Sequence, residues 1–158
     1  MSQLQLQLVQ LAAAHQEALE VLFTRVAADA TATHFHPHPF TNGEAERICC
    51  HAGKDLYLGM LRNDVLVGYG MLRGWNEGFR VPSLGIYVIP EVRATGVART
   101  LMQHLHERAK RAGAKQIRLK VHIDNIAARQ LYLSLGYRFE GPPQADGQLL
   151  GFFDIASD

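Results

Sequence analysis

Apolar positions along this chain change their spacing several times, and each change marks an element. Leu4 to Leu8 alternates apolar with polar residues, which predicts a half-buried strand. From Ala12 to Val26 the apolar residues Leu19, Leu22, Phe23 and Val26 recur at helical spacing. Small residues, three histidines and two prolines then make Ala27 to Phe40 a loop. Thr41 followed by Glu44 has the spacing of a capping box and opens a short helix through Ala45, Ile48 and Cys49. Asp55 to Leu61 and Val65 to Leu72 flank Asn63-Asp64 and predict a hairpin.

After a loop from Gly74 to Val81, a strand from Leu84 to Ile89 stops at Pro90. Val97, Leu101, Met102, Leu105, Ala109 and Ala112 then line one face of a helix that ends at Gly113. A strand from Gln116 to His122 follows, then a helix from Ala127 to Leu135 bracketed by Asn125 as cap and Gly136 as terminator. Two shorter strands, Tyr137 to Glu140 and Leu149 to Ile155, close the chain around a turn from Gly141 to Gly147. No repeat, linker or low-complexity tract divides residues 1–158, so the pattern predicts one α/β domain: a mixed sheet with helices on both faces.

Length and charge narrow the class. A chain of 158 residues can bury a substantial core. Lys plus Arg is 16 against 15 for Asp plus Glu, which gives no global attraction to nucleic acid or an anionic membrane. No apolar run approaches the roughly 20 residues of a membrane span, and Met1 to Gln5 lacks the start of a secretory signal, so the expected location is cytoplasmic. Cys49 and Cys50 are adjacent, hence poorly placed to bridge each other, and read as buried apolar residues. No metal is expected. The sequence leaves monomer and homodimer equally open.

The candidate chemistry begins in Arg93-Ala94-Thr95-Gly96-Val97-Ala98-Arg99, between a strand and an amphipathic helix. The first turn of such a helix carries unpaired N–H groups and the positive end of the helix dipole. A diphosphate can sit there if side chains leave the approach open, as Gly96 and Ala98 do, and Arg93 and Arg99 add positive charge.

Arg-x-x-Gly-x-Ala at Arg93 to Ala98, followed by Asn-x-x-Ala-x-x-Leu-Tyr-x-x-x-Gly-Tyr at Asn125 to Tyr137, resembles the Gcn5-related N-acetyltransferase (GNAT) family. The resemblance is strong over about Ser83 to Glu140 and implies an acyl-CoA N-acyltransferase fold. Such a fold has a mostly antiparallel central sheet splayed between its fourth and fifth strands. It also implies acetyl-CoA as cosubstrate. The backbone of Ile86, Tyr87 and Val88 would pair with the pantetheine arm, as in strand addition, with an N–H near Val88 facing the thioester carbonyl. Residues 93–99 would hold the diphosphate, and Asn125 would bond the pantetheine region. Tyr132 would protonate the departing thiolate, a role suited to a phenol whose reference pKa of about 10 keeps it protonated.

Two parts of the family pattern depart. Where members often carry a glutamate base, this chain has Ser83 and Lys120. The acceptor pocket is expected against the histidine loop, with His34, His36, His38 and Trp75 as binding residues, His36 as candidate base and His122 as a second. The reading is a direct N-acetyltransferase acting on a small primary amine such as an amino-sugar. Its rivals are a non-catalytic acyl-CoA sensor and a protein N-terminal or lysine acetyltransferase.

Overall fold

The computed structural model describes residues 5–156. Its elements run β1 (Leu6–Gln10), α1 (Gln16–Ala28), α2 (Asn42–Cys49), β2 (Leu56–Arg62), β3 (Val65–Arg73), β4 (Ser83–Val88), α3 (Val97–Arg111), β5 (Gln116–His122), α4 (Ile126–Leu135), β6 (Arg138–Glu140) and β7 (Gln148–Asp154). Short 3-10 turns sit at Ala13–His15, Ala30–Ala32, Trp75–Glu77 and Pro90–Val92. The expected start of the first strand, Leu4, lies outside the described residues, as does most of the segment read for a secretory signal.

One seven-stranded sheet carries the order β1-β2-β3-β4-β5-β7-β6. Every neighbouring pair is antiparallel except β4 with β5. That parallel pair is held at only two register positions, Ser83↔Arg118 and Leu84↔Leu119. Beyond Leu84 the two strands diverge, so the sheet opens along one seam in its middle.

Local chemistry explains the elements. Asn63 and Asp64 both take positive φ, 51° and 63°, the requirement of the tight hairpin turn between β2 and β3. At α2, Thr41 Oγ1 accepts from the Glu44 N–H at 3.1 Å, but Glu44 turns its carboxylate to Arg47 instead of back to the cap, so half of the expected box forms. The chain enters α1 through a 3-10 turn at Ala13–His15, which moves the α-helix start from the expected Ala12 to Gln16.

The sheet is covered on both faces. Phe23 of α1 packs edge-on against Tyr69 of β3, with ring centroids 5.8 Å apart. On the opposite face, Leu101, Met102, Leu105 and Ala109 of α3 are wholly buried. Gly70 makes that contact close: a Cβ there would stand 2.8 Å from Leu105 Cδ1. Cys49 is buried as expected, and burial pushes its thiol up to about 11, whereas Cys50 lies past the end of the helix and is exposed. No described helix is long and apolar enough to cross a membrane.

Candidate active site

Hydrogen-bond direction along β4 decides what the open seam offers. Within a strand, successive residues turn their N–H and C=O to opposite edges. The Ile89 N–H donates to the Val67 carbonyl of β3 at 3.0 Å, and the Pro82 carbonyl accepts from the Arg118 N–H of β5 at 3.0 Å. Ile86 and Val88 therefore aim their backbone groups at the seam, past the last paired residue, Leu84. Tyr87 aims the other way, at its register partner Tyr69. The expectation that all of Ile86, Tyr87 and Val88 present backbone to a ligand is corrected at Tyr87, because β3 already uses its groups.

At the end of β4 the chain makes the predicted turn. Ala94 and Gly96 both lie in the left-handed region, at φ 62° and 92°, and Gly96 is the N-cap of α3. The helical ladder begins with the Thr100 N–H to the Gly96 carbonyl, so Val97, Ala98 and Arg99 have no carbonyl four residues back within the helix. A Cβ on Gly96 would meet nothing within 4 Å, which leaves the approach open. Thr95 Oγ1 donates to the Val92 carbonyl and closes the turn from behind.

Arg93 and Arg99 do not simply flank this turn. Arg93 donates through Nε to the Val88 carbonyl at 3.1 Å, through Nη1 to Thr31 Oγ1 at 2.7 Å and through Nη2 to Asp29 at 3.2 Å. The expectation that Arg93 adds free positive charge is corrected, since Asp29 neutralises it. Arg99 Nη2 donates to Ser134 Oγ at 2.7 Å and pins α3 to α4.

Asp29 is the hub of this corner. It also accepts from the Thr31 N–H at 2.8 Å and the Tyr87 hydroxyl at 2.6 Å. Burial opposes its charge, but the hydrogen bonds from Thr31 and Tyr87 and the Arg93 guanidinium outweigh that and hold it at about 2.

Tyr132 on α4 is 7% exposed, with its ring tilted against Tyr137 at 5.6 Å. Burial pushes its phenol up to about 12. Asn125 caps α4 by accepting from the Ala128 N–H at 3.2 Å.

The three loop histidines go to three different places. His34 stacks on His122 of β5, with centroids 3.7 Å apart and planes within 4°. His36 donates from Nε2 to the Thr33 carbonyl, which leaves Nδ1 as its lone-pair nitrogen. His38 is buried: its Nδ1 donates to the Pro39 carbonyl at 2.7 Å and its Nε2 accepts from the Tyr69 hydroxyl at 2.8 Å. Burial lowers its pKa, so it is a neutral core residue and not part of a pocket. His122 accepts the Asp124 N–H on Nδ1 at 3.1 Å, which occupies the lone pair that a base would need.

A cleft of about 680 Å³ opens on the α1 and α2 side of the sheet. It is lined by His34, Phe35 and His36 of the loop, Arg73 of β3, Ser83 and Gly85 of β4, Arg118 and Lys120 of β5, and Glu77 and Arg80. Neither His38 nor Trp75 lines it. Trp75 is half-buried and packed against the core, and the expectation that it binds the acceptor in this cleft is corrected accordingly.

Arg118 and Lys120 are the lining residues that reasoning from sequence undervalued. Their signal was present: an inner strand covered by core on both faces reads as nearly continuous apolar residues, whereas β5 alternates Ile117, Leu119 and Val121 with charges.

A mixed sheet parted between two parallel central strands, beside a helix with an open first turn, offers a strand edge and an anion site side by side. The sequence model of the acetyltransferase (GNAT) family matches residues 20–137, and the chain belongs to that family. The family transfers acetyl groups from acetyl-CoA. No curated protein matches the chain.

Solved structures agree on the fold. A GCN5-related N-acetyltransferase from Kribbella flavida is 24% identical with a TM-score of 0.74, covering 95% of this chain and 98% of that one. The protein yncA from Salmonella typhimurium, described with its cofactor acetyl-CoA, is 19% identical with a TM-score of 0.74 over 97% and 95%. The ribosomal-protein-S18-alanine N-acetyltransferase of Escherichia coli is 20% identical with a TM-score of 0.71 over 98% and 96%.

Proposed function

We propose that the protein is an N-acetyltransferase that moves the acetyl group of acetyl-CoA directly to a small primary amine. The observation that carries this reading is the seam: two parallel strands paired only as far as Leu84, with the Val88 N–H turned into the gap. That fixed donor would stand where charge develops on the thioester oxygen, and it stabilises the transition state more than the ground state. The N–H groups of the α3 first turn would hold the diphosphate, and the Ile86 backbone would pair with the amide-rich arm. Asn125 stands at the cap of α4, beside this arm in the family arrangement.

Tyr132 supplies the proton to the departing thiolate in this reading. Its raised pKa keeps the phenol protonated until it is needed. His36, in the cleft with Nδ1 available, takes the proton that the acceptor must lose. Neither cysteine is placed among the cleft-lining residues, which favours direct attack over an acetyl-enzyme.

The small-molecule preference rests on the loop. Phe35 stacks on Tyr87 of β4 at 5.8 Å and His34 on His122 of β5, so residues 34 and 35 strap across the parted strands. A protein terminus or lysine would need that strap to move. Cytoplasmic location goes with this reading, since small amines and acetyl-CoA meet there.

Calorimetric titration with acetyl-CoA, followed by coenzyme A release over an amine panel, tests the proposal. Micromolar binding with turnover supports it. Binding without turnover of any amine or peptide identifies a sensor, and turnover confined to peptides identifies a protein acetyltransferase.

A further inference from the structure

The floor of the acceptor cleft is a row of three residues on three adjacent strands. Arg73 of β3 is in register with Ser83 of β4, and Ser83 with Arg118 of β5. Residues directly opposed across strands share a face, and neighbouring strands lie about 4.8 Å apart, so two guanidinium-bearing residues flank one hydroxyl. Lys120, two residues beyond Arg118, adds a third charge on the same face, and Arg80 a fourth from the loop. Against these four cations the cleft sets one carboxylate, Glu77. The whole chain carries a net charge of only +1, so the concentration is local.

These cations are not spent inside the protein. Arg73 does have a partner, the Pro37 carbonyl, and so holds the loop. Arg80, Arg118 and Lys120 take part in none of the ion pairs among the described residues. Arg118 Nε is enclosed and has no hydrogen-bond partner at all. A buried donor left unpaired costs stability, and Arg118 therefore keeps no internal partner for its charge.

Nor are these groups placed for the diphosphate of the cosubstrate. They lie at the Ser83 end of β4, roughly 17 Å in extended rise from its Val88 end, where the α3 turn begins. They also occupy the sheet face covered by α1 and α2, opposite α3.

We propose that the acceptor amine carries a second, anionic group, a carboxylate or a phosphate, which Arg118 and Lys120 bind on the cleft floor. This rests on the acetyltransferase reading. The planar guanidinium of Arg118 suits either oxyanion through paired N–H donors, with the Ser83 hydroxyl beside it. The same positive field disfavours the ammonium form of the acceptor, which eases the proton loss that attack requires. An amino-sugar fits this floor as its phosphate or uronic acid.

The test uses matched probes. Ethanolamine, O-phosphoethanolamine and glycine are each titrated calorimetrically into the protein saturated with coenzyme A, which keeps the diphosphate turn occupied. Binding and coenzyme A release from acetyl-CoA are then compared between wild type and Arg118→Gln. The expected result is at least tenfold tighter binding of an anionic probe than of ethanolamine. Arg118→Gln should erase that preference while its coenzyme A affinity shows that it is folded.

Preference for O-phosphoethanolamine assigns a phosphate, and preference for glycine a carboxylate. Equal binding of all three probes, or of the anions to both proteins, overturns the inference. So does a failure of every anion to bind the saturated protein, even if a neutral amine is acetylated. Absence of coenzyme A binding overturns the acetyltransferase reading itself.

Discussion

His34 and His122, one from the loop after α1 and one from the last residue of β5, lie ring on ring with centroids 3.7 Å apart and planes within 4°. The stack ties a mobile class of element, a loop with two prolines, to one lip of the parted sheet. Aromatic stacking contributes on the order of 0.5–1.5 kcal/mol, or about 2- to 10-fold in an equilibrium. His34→Ala should therefore raise the acceptor KM by about that factor. Acetyl-CoA affinity, measured by calorimetry, should not follow.

Tyr132→Phe separates chemistry from binding. Loss of a general acid costs about 10²- to 10⁴-fold in rate, so kcat should fall within that range while the acetyl-CoA Kd stays put. Because burial holds the phenol up to about 12, the wild-type rate should show no falling limb from this residue between about pH 7 and 10. Single-turnover rates across that range check it.

Gly96→Glu should abolish cosubstrate binding. The site sits at φ 92°, where a side chain is strained, and the new carboxylate would point into open space that the diphosphate needs. Strain and charge repulsion together predict a loss on the order of 100-fold in affinity. A variant that binds acetyl-CoA as tightly as wild type would remove the α3 turn from the site.

His106 gives the protein a pH-dependent stability unrelated to catalysis. Burial lowers its pKa from 6.5 to about 4, and its Nε2 accepts from the Tyr137 hydroxyl at 2.7 Å. Between those two values the unfolded imidazole binds a proton that the folded one refuses, so stability present above 6.5 is lost as pH falls toward 4. The ring is partly exposed, which reduces the effect to on the order of 1 kcal/mol. Thermal unfolding midpoints should fall less steeply over this window in His106→Gln than in wild type.

What was legible in the sequence followed its physical origin. The hairpin at Asn63-Asp64 could be read because few residue pairs tolerate two positive φ values, and α3 because its stripe recurs at one period. The seam between β4 and β5 came only through family resemblance: where two sequence-distant strands stop pairing leaves no periodic mark. His38 and Trp75 were misplaced because histidine and tryptophan serve cores and pockets alike, and the choice was made by Tyr69 and by packing against the core. Lys120 reads in the sequence, with Ser83, as the place of a missing carboxylate, and Arg118 only as part of a strand, so the floor that they form was not drawn from it.

Asp29 has a consequence for how the molecule can evolve. A single carboxylate fastens the start of the acceptor loop, through Thr31, to the strand and turn of the cosubstrate side, through Tyr87 and Arg93. The two half-sites thus share one mechanical joint, and a lineage that reshapes its loop for a new acceptor inherits the same joint or loosens its grip on the acetyl donor as well.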